Sequence, residues 1–69
     1  MPKLPSSEKI MKILLSQGFL LKSKKGSHQK FSNGERTVIV PAGRKEIPTG
    51  TLKSISRQAG IDYDNFINL

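Results

Sequence analysis

Apolar residues recur at Ile10, Met11, Ile13, Leu14 and Leu15, with Lys9, Lys12 and Ser16 opposite them, the spacing of a helix with one broad apolar face. Ser6 or Ser7 supplies a capping hydroxyl, and Glu8 puts an acid in the first turn, where the helix dipole favours it. Gly18 ends this helix because glycine readily takes the left-handed conformation after the last turn. Residues 1–5, with two prolines, form a short extended lead-in. Beyond Gly18 the period shortens to two. Residues 19–23 read as a strand, Lys24-Lys25-Gly26-Ser27 as a basic turn, and residues 28–32 as a second strand. Asn33-Gly34 is a hairpin signal, since both residues tolerate positive φ. Residues 35–40 are rich in β-branched side chains and form the third strand, which Pro41 ends. Residues 42–48 are a loop carrying Gly43, Arg44, Lys45 and Pro48. A second helix starts near Thr49-Gly50-Thr51, turns Leu52, Ile55 and Ala59 to one face, and stops at Gly60. Asp62 caps a final short turn over residues 63–69, whose Phe66, Ile67 and Leu69 can close the edge of the core.

The order is α-β-β-β-α. Both links between strands are too short for a crossover, so the sheet is antiparallel. Both helices must bury their apolar faces, and one side of a three-stranded sheet is the surface available to them. The expectation is an α+β sandwich, three antiparallel strands with two helices on one face, built as one domain over residues 1–69. The other face of the sheet is left open to solvent.

Length and composition narrow the function. A 69-residue chain buries only about 60% of its unfolded surface, leaving no room for a large enclosed cofactor pocket, and no cofactor is expected. No cysteine is present and there is one histidine, so neither a thiolate nor a multi-histidine metal site is expected. No apolar run approaches the roughly 20 residues of a membrane helix, and no leader pattern opens the chain. Twelve Lys and Arg against five Asp and Glu give a net charge of +7. A field of that sign favours a polyanion, and nucleic acid is the first candidate, ahead of an anionic membrane surface and an acidic protein.

Strand geometry then singles out His28. Phe31 is the inward residue of the second strand, so His28 and Lys30 point outward with Ser32, onto the open face. Lys22, Lys24, Lys25 and Lys30 crowd the same hairpin, and the Gly26-Ser27 turn offers backbone amides to phosphate oxygens. The plain alternative is an incidental surface histidine among solubilising lysines. A lone imidazole on a phosphate-attracting surface nevertheless suits RNA cleavage, with His28 taking the proton from a ribose 2′-hydroxyl as it attacks the adjacent phosphodiester. General base catalysis contributes about 10²–10⁴-fold, and an imidazole retains a neutral fraction at physiological pH. Arg44 and Lys45, ahead of the second helix's N-terminus at Gly50-Thr51, form a second foothold for an RNA backbone, with Lys53 and Arg57 on that helix's flank. Other chemistries fit less well. No GxxxxGK[ST] is present, the acids form no pair for two-metal or glycosidase work, and Ser27 and His28 face apart on a strand.

Taken together, Gly18-Phe19, Gly26-Ser27-His28 with Phe31, Val38-Ile39-Val40-Pro41, Lys45-Glu46, Gly50-Thr51-Leu52, Ile55 and Gln58-Ala59-Gly60 resemble the HicA toxin family over about residues 6–66. The resemblance implies a double-stranded-RNA-binding-domain-like fold and a cytoplasmic endoribonuclease that cleaves messenger RNA and arrests translation. It also implies a HicB-type antitoxin that covers the His28 face, a toxin that is monomeric when free, and His28 as the catalytic histidine. Two departures stand out. Many members carry Pro-x-His where this chain has Pro41-Ala42-Gly43, so no role for a second histidine carries over. Members often have Leu after the position of Ile55, where Ser56 stands here at the rim of the core or thinning it. The runner-up readings are a module of the same shape that holds RNA without cutting it, and a purely protein-binding domain.

Overall fold

The computed structural model describes residues 4–69, so the first three residues of the expected lead-in lie outside the described residues. The expected order holds, as α1 (Ser7–Ser16), β1 (Leu20–Lys25), β2 (His28–Ser32), β3 (Thr37–Pro41) and α2 (Thr49–Ala59), followed by a short α3 (Tyr63–Ile67). The three strands form one antiparallel sheet in the order β1-β2-β3. Among the described residues no helix is long and apolar enough to cross a membrane.

Ser6 is the N-cap of α1, its hydroxyl accepting from the Lys9 amide at 3.1 Å. Ser7, the other candidate cap, is buried and bonds elsewhere. Helix α1 ends in a Schellman motif: the Gly18 amide donates to the Leu15 carbonyl, and the Phe19 amide reaches back to Leu14 at 2.9 Å. That closure turns Phe19 into the core, so the strand begins one residue later than expected. Helix α2 ends the same way, Gly60 at φ 74° and the Ile61 amide on the Ser56 carbonyl. The apolar face of α1 is narrower than expected. Ile10, Ile13 and Leu14 are buried, whereas Leu15, about 140° round the helix from Ile10, is 49% exposed.

On the covered face of the sheet, Phe31, Val38 and Val40 meet Ile10, Leu14, Leu52, Ile55 and Phe66 in one core. Each such side chain contributes roughly 1.5–3 kcal/mol by leaving water. Ser56 belongs to the buried wall, its hydroxyl donating to the Lys53 carbonyl at 2.9 Å. Of the three C-terminal apolar residues only Phe66 closes the core, Ile67 and Leu69 lie at the surface, and Asp62 sits at the N-cap position of α3 without making the expected side-chain cap bond.

Both hairpins differ in detail from expectation. Strand β1 runs on to Lys25, which shrinks the basic turn to Gly26-Ser27, with positive φ at Gly26 alone as in a type II′ turn. In the second, only Gly34 has positive φ. Asn33 instead accepts the Glu35 and Arg36 amides on its side-chain oxygen, at 2.9 and 2.7 Å, which keeps those residues in the turn and delays β3 to Thr37.

Candidate functional site

His28 opens β2 on the open face of the sheet and is exposed, as are Lys30 on β2 and Ile39 on β3, while Gln29, Phe31, Val38 and Val40 face the helices. Cross-strand partners share a face, and those of His28 are Lys25 on β1 and Pro41 on β3. Lys30 pairs with Ile39. The imidazole thus sits on an uncovered pleat with one ammonium group across the strand and another two residues along it.

Helix α2 closes the far side of this surface. β3 is an edge strand, and its outward amide at Ile39 donates to the Gln58 side-chain oxygen of α2 at 2.8 Å. Pro41 sits two residues along the same edge, where the missing N–H costs no ladder bond. Between the sheet and the helix lies an open groove of about 350 Å³. His28, Ile39 and Pro41 line it from the sheet, Thr51 and Gln58 from the helix, and Pro48 from the N-cap position just ahead of it. Arg44 of the connecting loop joins them. The start of α2 carries neither a side-chain cap bond nor an acid in its first turn, so its leading amides stay free for an anion.

The predicted basic residues do not all gather here. Lys25 and Lys30 share the His28 face. Lys24 pairs with the inward Gln29 and therefore projects toward the helix side, and Lys22 falls in a β-bulge between Leu21 and Ser23. Lys53 lies about 200° round α2 from Thr51, turned from the groove, with its ammonium 5.6 Å from the centre of the Tyr63 ring. Lys45 lines a second recess, of about 420 Å³, with Ser6 and Met11 beside α1; Arg44 borders both. Gly26 and Ser27 stay exposed beside His28, and the Ser27 carbonyl accepts the Ala42 amide at 2.6 Å, tying the turn to the loop that carries Arg44.

Two features of the site lie beyond the pattern of the sequence. The buried Ser7 hydroxyl donates to the Pro41 carbonyl at 2.6 Å and accepts the Arg44 amide at 3.0 Å, which pins the loop end of the groove to α1. Gln29, beside His28, is buried, and its side-chain oxygen has no hydrogen-bond partner. Among the described residues no three His, Cys, Asp or Glu side chains converge as a metal-binding group.

Comparison with known proteins adds one finding: a family model for the HicA toxin of bacterial toxin–antitoxin systems matches residues 7–61, from the start of α1 to just past α2. No curated protein matches the chain.

Proposed function

The chain belongs to the HicA toxin family, and from that premise we propose that it is a cytoplasmic endoribonuclease toxin acting on messenger RNA, with His28 as the general base. The observation that carries this reading is the single imidazole lying exposed at an open groove, beside Arg44 and on one face with Lys25 and Lys30. RNA contains its own nucleophile, so the protein need only remove a proton and hold the phosphate. His28 takes the proton from a ribose 2′-hydroxyl as its oxygen bonds to the neighbouring phosphorus. The bond from phosphorus to the 5′-oxygen breaks, and that oxygen leaves as a hydroxyl, protonated by water or a nearby ammonium group. The products are a 2′,3′-cyclic phosphate and a 5′-hydroxyl end. Arg44, Lys25 and Lys30, with the amides of Gly26 and Ser27, hold the strand and offset charge on the phosphate as it becomes five-coordinate. Lys22, Lys24, Lys45 and Lys53 act at longer range, drawing RNA to the surface.

The toxin–antitoxin pairing of the family calls for an inhibitor. A HicB-type antitoxin with an acidic surface is complementary to the His28 face, and covering it would exclude RNA. In this reading the free toxin is a monomer. His28→Ala tests the proposal: the variant should bind RNA within a few-fold of wild type and lose both cleavage and growth arrest. Cleavage at the wild-type rate would overturn the catalytic role, and loss of folding, read by circular dichroism, would show His28 to be structural.

A further inference from the structure

We infer that the groove beside His28 is a subsite for one unpaired nucleobase, which makes the substrate single-stranded RNA; the substrate class rests on the nuclease reading above, the subsite on the groove itself. The walls divide by chemistry. Ile39 is 40% exposed although it is a large aliphatic residue, and with Pro41 and Pro48 it gives the groove an apolar lining. Phosphates gain nothing from such a surface, whereas the face of a base does. Gln58 adds one oriented polar group. Its oxygen accepts the Ile39 amide at 2.8 Å, which fixes the orientation of the side-chain amide, and its nitrogen donates one N–H to the Ser54 hydroxyl at 3.3 Å and keeps the second to offer. That donor suits a carbonyl oxygen or ring nitrogen on a base edge. Around this lining stand Arg44, Lys25 and Lys30, which suit phosphates. A nucleotide is the ligand that carries both a flat apolar face with acceptor edges and a flanking anion.

A duplex does not meet the same demands. Its bases are stacked and paired, so none can enter a recess beside a helix without being flipped out at a cost of a few kcal/mol. A-form geometry also holds the 2′-oxygen out of line with the departing 5′-oxygen, whereas an unstacked nucleotide can rotate into line. A base seated against Ile39 would fix its ribose near His28, turning the general base toward one 2′-hydroxyl at a time.

The test uses wild-type protein and three uncleavable 2′-O-methyl probes: a single-stranded hexanucleotide, the same backbone without bases, and a duplex of the same sequence. The side-chain amide of Gln58 and the methyl groups of Ile39 are followed by NMR. The single strand should move both signals and bind about 10-fold more tightly than the abasic backbone, a difference that Ile39→Ser reduces. The abasic probe should move Arg44 but leave Ile39 and Gln58 in place. Equal movement with the abasic or duplex probe, or none with the single strand, overturns the inference and leaves the groove to a protein side chain. Cleavage is not part of this readout. Base-dependent shifts in a protein that fails the His28→Ala test would sink the nuclease reading alone, and their absence in one that passes would sink the subsite alone.

Discussion

The Ser7 hydroxyl bridges Pro41 and Arg44, donating to the carbonyl of the first at 2.6 Å and accepting the amide of the second at 3.0 Å. The Ser7 amide adds a third bond, to the Arg44 carbonyl at 2.9 Å, and the Ile47 amide on the Pro5 carbonyl a fourth between the same two stretches of chain. The start of α1 thereby holds the end of β3 and the loop beyond it. Arg44 is exposed, so its direction depends on its backbone rather than on packing around the guanidinium.

Ser7→Ala should therefore act in two ways. Only Ser7 of the three is buried, and loss of its two part-buried bonds costs about 1 kcal/mol, each kcal/mol lowering the Tm of a domain this size by about 4–8 °C. Cleavage should fall as well, and through Arg44. In a double-mutant cycle at a temperature where both proteins stay folded, Ser7→Ala should cost activity in the wild type and little more in an Arg44→Ala background. Additive losses would show that the two residues act independently.

The lysines should separate by face. Lys25→Ala and Lys30→Ala should each weaken RNA binding and reduce the slope of log K against log salt by about 0.7, the value for one phosphate contact on a single strand. Lys24→Ala, on the helix side, and Lys53→Ala, held over Tyr63, should change the slope by less. Fluorescence-anisotropy titrations at several salt concentrations provide the measurement, and equal slopes for all four would mean that a diffuse charge cloud does the binding.

His28 was legible in the sequence because Phe31 sets the period of β2, and a residue three positions before an inward aromatic has to face outward. Lys30 was legible by the same period, but the placement of Lys22, Lys24 and Lys25 on β1 was not, since it depends on the bulge between Leu21 and Ser23, which shifts register with no glycine or proline to mark it. The groove was hidden for a related reason. Its walls come from β2, β3, the loop and α2, and the bonds that assemble it join residues 34 and 37 positions apart through an ordinary serine. Leu15, Ile67 and Leu69 read as core because they are apolar, yet a sheet of three strands runs out of face before it can cover them. Asn33 read as a positive-φ residue, but its side chain satisfied two turn amides without that conformation.

Gln29 marks a place where the fold carries a cost. It occupies an inward position of β2, only 6% exposed, and its side-chain oxygen finds no donor. Replacing such a group by an apolar side chain of similar shape is neutral or stabilising. Gln29→Met should hold or raise the Tm by a few degrees, with cleavage unchanged because the side chain faces away from the groove. A fall in Tm would show that the methionine does not fit the space the glutamine fills, so that packing outweighs the unpartnered oxygen.

Magnesium gives the last separation between mechanisms. If His28 generates the nucleophile by taking a proton, cleavage needs no Lewis acid and should proceed in excess EDTA at an undiminished rate. Added Mg²⁺ should slow the reaction at subsaturating RNA, because the ion competes with Lys25, Lys30 and Arg44 for the same phosphates. The inhibition should appear in KM and leave kcat in place, since the chemical step does not use the metal. A strict Mg²⁺ requirement, lost in EDTA and restored by the ion, would assign nucleophile activation to the metal and reduce His28 to a binding group.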